Sequence, residues 1–94
     1  MTPDEVARTC DELHECVDQG PGENSEAFAR AWSALRKLRE AASWDYPVSI
    51  LMEVEVQLAR WFSPKKWRGS DDGLRENLLE RIARLEDAWD RPRA

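Results

Sequence analysis

A chain of 94 residues has room for one small domain with a single modest core, and 41% hydrophobic with 35% charged residues is typical of a globular protein rather than a disordered one. The net charge of −5 argues against a nucleic-acid partner, and no apolar run approaches the roughly 18 residues of a membrane-spanning helix. The N-terminus, MTPDEVART, lacks the basic and apolar segments of a secretory signal, so we expect a cytoplasmic protein.

The first predicted helix begins at Pro3. Thr2 and Glu5 have the spacing of a capping box, and Gly20 suits the end of the helix. Its apolar face carries Val6, Cys10, Leu13 and Val17, with helical spacing. The opposite face carries the four residues that we call the acidic ridge: Asp4, Asp11, Glu15 and Asp18.

The acidic ridge belongs to an uneven distribution of charge. Residues 1–29 contain eight acidic side chains against Arg8 alone, which gives −7, whereas residues 30–94 contain eleven acidic and thirteen basic side chains, which gives +2. Few basic residues lie at the (i, i+4) positions that would balance the ridge. It is either an ordinary solvated helix face or a docking site for a basic protein, and we interpret it as the latter.

The second predicted helix follows the break GPGEN, starts at a cap on Asn24 or Ser25, and runs to about Ala42. The residues expected to point inward are Phe28, Trp32, Leu35, Leu38 and Ala42. The outer face carries Arg30, Arg36 and Lys37.

The third helix is predicted to open at Pro47, after the connection SWDYP. MEVEVQL alternates like a strand, but no second strand is present to pair with it, so a helix is favoured. Its apolar arc contains Ile50, Leu51, Val54, Leu58 and Trp61. Glu55 falls within the extended arc, where its carboxylate needs a partner or a nearby edge.

A fourth helix is predicted after Ser70 or Asp72, with Pro92 just past its end. Its apolar stripe contains Leu74, Leu78, Ile82, Leu85 and Trp89. Four helices with short connections predict an all-α fold: a four-helix antiparallel bundle in a single domain over residues 1–91, followed by a frayed tail at 92–94.

The connection FSPKKWRGSDDG joins the last two predicted helices, because Pro64 and Gly69 are residues typical of a joint. Trp67 has two interpretations. In the simpler one it folds back over the core. In the other it is an exposed anchor for a protein partner, with a mixed-charge rim of Lys65, Lys66, Arg68, Asp71 and Asp72.

Neither a metal site nor an enzyme is expected. On a helix Cys16 points away from Cys10 and His14, so the three cannot share a metal ion and the two cysteines cannot form a disulfide. We expect Cys10 to be buried and Cys16 to be a surface thiol. Arg8 and His14 have the R-x5-H spacing of HEPN ribonucleases, but the acidic ridge would repel RNA. No cofactor is expected.

The stretches EAFARAWSALR, LARWFSP, SDDGL and LRENLLERIARL, within residues 26–88, resemble bacterial self-protective immunity proteins of the colicin D immunity type. The resemblance implies a small four-helix protein that binds and blocks a toxic nuclease. In that family the loop after the aromatic residue tends to be acidic, whereas Lys65, Lys66 and Arg68 are basic here. Asp71 and Asp72 still match the acidic positions before Gly-Leu.

We therefore expect an immunity protein that blocks a cognate toxic nuclease domain by steric and electrostatic occlusion, without binding nucleic acid or membrane. The residues expected to bind the toxin are Asp11, Glu15, Asp18, Trp67, Asp71 and Asp72. The alternative is a helical interaction or regulatory module that self-associates, through the apolar arc of the third helix and surplus tryptophans. The sequence leaves monomer and homodimer open.

Overall fold

The computed structural model describes residues 2–42 and 45–90, in which it contains helices and no strands. The five helices are α1 (Pro3–Asp18), α2 (Ser25–Ala41), α3 (Asp45–Trp61), α4 (Lys65–Arg68) and α5 (Asp71–Asp90). The Cα radius of gyration is 12.9 Å, close to the roughly 13 Å of a compact domain of 100 residues. The all-α prediction is confirmed, and the strand alternative for residues 52–58 is excluded.

The four long helices surround one core. α1 packs against α2 and α5, and α3 packs against the same two helices. The predicted apolar faces of α1, α3 and α5 supply most of this core, and all of the following are buried: Val6, Cys10, Leu13, Val17, Ile50, Leu51, Val54, Leu58, Trp61, Leu74, Leu78, Ile82 and Leu85. Trp89 is partly buried against the same cluster.

The helix starts follow local hydrogen bonding. Thr2 and Glu5 form the predicted capping box of α1, and the Asn24 side chain accepts a hydrogen bond from the Ala27 N–H at 3.1 Å. α3 begins at Asp45, two residues before the predicted start, so Pro47 lies within its first turn. The first turn of a helix has no intrahelical use for the N–H that proline lacks, so Pro47 is tolerated there.

Two predicted side-chain positions are wrong. Cys16 is fully buried, because α2 and α5 cover α1 on two sides and the buried arc of α1 is wider than one stripe. Trp32 is 39% exposed. The inward positions of α2 are filled instead by small residues together with the two predicted leucines: Ala27, Ala31, Ala34, Leu35 and Leu38. Phe28 and Ala42 are half-buried.

Glu55 has the partner that its position required, because the Arg39 guanidinium lies 3.3 Å from its carboxylate. No helix in residues 2–42 or 45–90 is both long enough and apolar enough to cross a membrane. The predicted tail at 92–94, with Pro92, and Trp44 in the connection before α3 lie outside the described residues.

Candidate protein-binding surface

The acidic ridge is exposed but partly balanced by other helices. Arg30 of α2 lies 3.6 Å from the Glu15 carboxylate and 4.0 Å from that of Glu12. Arg75 of α5 lies 2.7 Å from the Asp18 carboxylate. Asp4 and Asp11 have no ion pair among the described residues. Arg30 and Arg75 therefore balance part of the negative charge of the acidic ridge. The remaining charge attracts a basic partner less strongly than the residues of α1 alone predict.

The C-terminal end of α1 is fixed against the end of α3 by Trp61. The buried Trp61 side chain donates its Nε1–H to the Val17 carbonyl at 2.9 Å, and the Gly22 N–H donates to the Trp61 carbonyl at 3.0 Å. A Cβ on Gly20 would lie 2.4 Å from Trp61 Nε1. Gly20 therefore permits the close approach of the Trp61 indole. The sequence predicts only that Gly20 ends α1, not this contact.

The connection between α3 and α5 is braced by Arg68. This side chain is buried; its guanidinium donates to the Ser63 carbonyl at 2.5 Å and to Asp71 Oδ1 at 2.9 Å. Lys65 donates to the other carboxylate oxygen, Asp71 Oδ2, at 3.1 Å. These hydrogen bonds, first that from Arg68 and then that from Lys65, lower the pKa of Asp71. Two of the three basic residues that would repel a cationic toxin are therefore engaged by one carboxylate.

Trp67 projects from this braced connection and is 61% exposed. Its backbone N–H donates to the Pro64 carbonyl at 2.9 Å within the single turn of α4, and Lys66 Nζ lies 5.3 Å from the ring centroid. The simpler interpretation, in which Trp67 folds back over the core, is wrong. Asp72 is exposed and has no ion pair among the described residues.

The structure brings together four of the six predicted partner-binding residues. Trp67, Asp71 and Asp72 share the connection and the first turn of α5, and Asp18 is held by Arg75 one turn further along. Asp11 and Glu15 lie farther along α1; Asp11 is seven residues from Asp18, or roughly 10 Å along the helix. We call Lys66, Trp67, Asp72 and Asp18 the Trp67 surface.

The other candidate groups form no reactive cluster in the described parts of the chain. Cys10 and Cys16 are both buried thiols, and burial raises the pKa of the Cys16 thiol, with Arg30 opposing the shift. Arg8 is exposed and His14 is half-buried on α1. No group of three metal-ligating side chains occurs within residues 2–42 and 45–90.

No protein-family model, curated protein or solved structure matches this chain. The resemblance to immunity proteins of the colicin D type therefore stays a prediction from the sequence.

Proposed function

We propose that this chain is a non-enzymatic immunity protein that binds a cognate toxic nuclease domain in the cytoplasm and occludes its active site, with Trp67 as the anchor. The observation that carries the proposal is a large aromatic side chain, 61% exposed, on a backbone braced by the buried Arg68. Tryptophan is enriched among the residues that dominate binding energy. A braced backbone loses little conformational freedom on association, which favours affinity.

The electrostatic part of the proposal depends first on Asp72 and Asp11. Both carboxylates are exposed and without an ion pair among the described residues, so they are available to basic groups of a nuclease. Glu15 and Asp18 contribute less, since Arg30 and Arg75 already lie beside them.

Asp71 has a different role in the proposal, because its carboxylate holds Lys65 and Arg68. We assign it to positioning Trp67 rather than to contacting the toxin. Its pairing also reduces the repulsion that the basic connection would otherwise exert on a cationic active site.

The proposal includes a rigid scaffold. The four long helices, joined by short connections and each packed on two others, are inferred to form a four-helix antiparallel bundle. A stable inhibitory complex needs about 800 Å² from this partner. In the proposal, the Trp67 surface together with the adjacent part of α1 supplies this area.

The test is protection of cells from the toxin. The reading frame beside this one in its genome is expressed alone and together with this chain, in a host that has neither. We expect growth arrest from the neighbour alone and rescue by the chain. Trp67→Ala and Asp72→Lys are expected to abolish rescue, whereas Trp32→Ala, which removes an exposed tryptophan on another face, retains it. A harmless neighbour, or rescue that survives both changes at folded levels of protein, contradicts the proposal.

A further inference from the structure

The outer side of α2 carries an aromatic groove whose lining contains none of the residues of the Trp67 surface. Two depressions of about 360 and 350 Å³ meet at Phe28 and Ala29; one extends past Phe62 and the other past Trp32. The Phe28 ring stacks on Trp32, with centroids 5.7 Å apart, and meets Phe62 edge-on at 5.8 Å. We call this continuous depression the α2 groove.

The two ends of the α2 groove have opposite charges. Glu23 lines one end and Arg36 lines the other, and neither has an ion pair among the described residues. Arg36 lies eleven residues beyond Ser25, the first residue of α2, which corresponds to roughly 16 Å along the helix, and Glu23 lies two residues before that start. Ala29 lies near the middle, where its small side chain allows close approach of another helix.

We propose that the α2 groove binds a second copy of this chain in an antiparallel, twofold arrangement. Rotation about an axis near Ala29 brings Glu23 of each copy to Arg36 of the other, so that both unpaired charges gain a partner. The same rotation directs Trp32 of each copy toward the depression beside Phe62 of the other. A uniformly basic or acidic partner would satisfy only one end of the groove, whereas a second copy satisfies both.

The size of this face predicts a weak dimer. A helix of 17 residues is roughly 25 Å long, and α2 with the neighbouring outer side of α3 is about 20 Å wide, so about 500 Å² of each copy is covered. The total of about 1,000 Å² lies at the lower limit of specific interfaces. We expect dissociation in the micromolar to millimolar range.

The test is sedimentation equilibrium of the purified chain from about 10 µM to about 1 mM, a range that brackets such a dissociation constant. We expect a monomer–dimer equilibrium that Arg36→Glu or Glu23→Arg alone weakens at least about tenfold, because each change places like charges together. The double variant, which exchanges the two charges, is expected to restore association. Trp32→Ala is expected to weaken it as well.

Lys37→Glu is the matched control, because it makes the same change of charge at the next residue, which lies on the side of α2 facing Glu5 and Glu12. Lys37→Glu is expected to leave association unchanged. Trp67→Ala is also expected to leave association unchanged while it abolishes toxin protection, so the two losses are distinguishable. A monomer at every concentration overturns the proposal. Equal weakening by Arg36→Glu and Lys37→Glu, or no rescue by the charge exchange, also overturns it.

Discussion

Gly20→Ala tests the packing that joins α1 to α3. The new Cβ would lie 2.4 Å from Trp61 Nε1, much closer than atoms in contact approach, so the indole must move. Its movement removes the buried hydrogen bond to the Val17 carbonyl, which costs about 1–3 kcal/mol for the groups left unsatisfied. Overpacking adds about 1–3 kcal/mol. We expect the free energy of unfolding to fall by about 2–6 kcal/mol, a large part of the total for a domain of this size.

The assay is urea denaturation followed by far-ultraviolet circular dichroism, with the midpoint and slope fitted separately. Gly73→Ala is the matched control, because a Cβ there meets only Ser70 at 3.5 Å and the residue lies within α5. Replacing a helical glycine by alanine is expected to stabilise the protein by about 0.5–1 kcal/mol. If Gly20→Ala unfolds at the same urea concentration as the unaltered protein, the close contact with Trp61 is not a constraint and the reasoning fails.

Two further predictions concern pH. Burial raises the pKa of Cys16 in the folded protein, so the stabilisation that the neutral thiol contributes is present below the ordinary pKa of 9.0 and decreases as the pH rises above it. Cys16→Ala should remove this pH dependence. An equal loss of stability at alkaline pH in the variant and the unaltered protein would contradict the prediction. The pKa of Asp71 is lowered, so its stabilisation is present above 3.8 and is lost as the pH falls through the lowered value. Urea midpoints in acid should therefore fall less for Asp71→Asn than for the unaltered protein. Parallel curves would show that the ion pairs of Asp71 with Arg68 and Lys65 contribute nothing to stability.

Much of the fold is readable from the sequence because it is encoded locally. The Thr2–Glu5 capping box and the helical spacing of the apolar residues from Leu74 to Leu85 each lie within one helix, and both are confirmed. α2 is harder to predict, because alanine fits either side of a helix, and the sequence pattern therefore favours the large Trp32 as an inward residue. Its inward face consists largely of alanines, which places the aromatic side chain at an edge.

The candidate surface was less predictable because its details depend on contacts between distant segments. Sequence spacing reveals ion pairs within a helix, but not those that Arg30 and Arg75 make to α1. The basic residues at 65–68 predict an exposed charged patch, whereas the Arg68 side chain is buried and braces the connection. Nor does the sequence distinguish the buried Arg68 from the exposed Trp67 beside it.

The most direct measurement is the affinity of the purified chain for the product of the neighbouring reading frame, which we propose to be the toxin. It is determined by isothermal titration calorimetry for the unaltered protein, Trp67→Ala and Trp32→Ala. An anchor tryptophan contributes at least about 2 kcal/mol, so Trp67→Ala should weaken binding at least about 30-fold while Trp32→Ala stays within about twofold. Equal affinity of the Trp67→Ala variant and the unaltered protein would contradict the account.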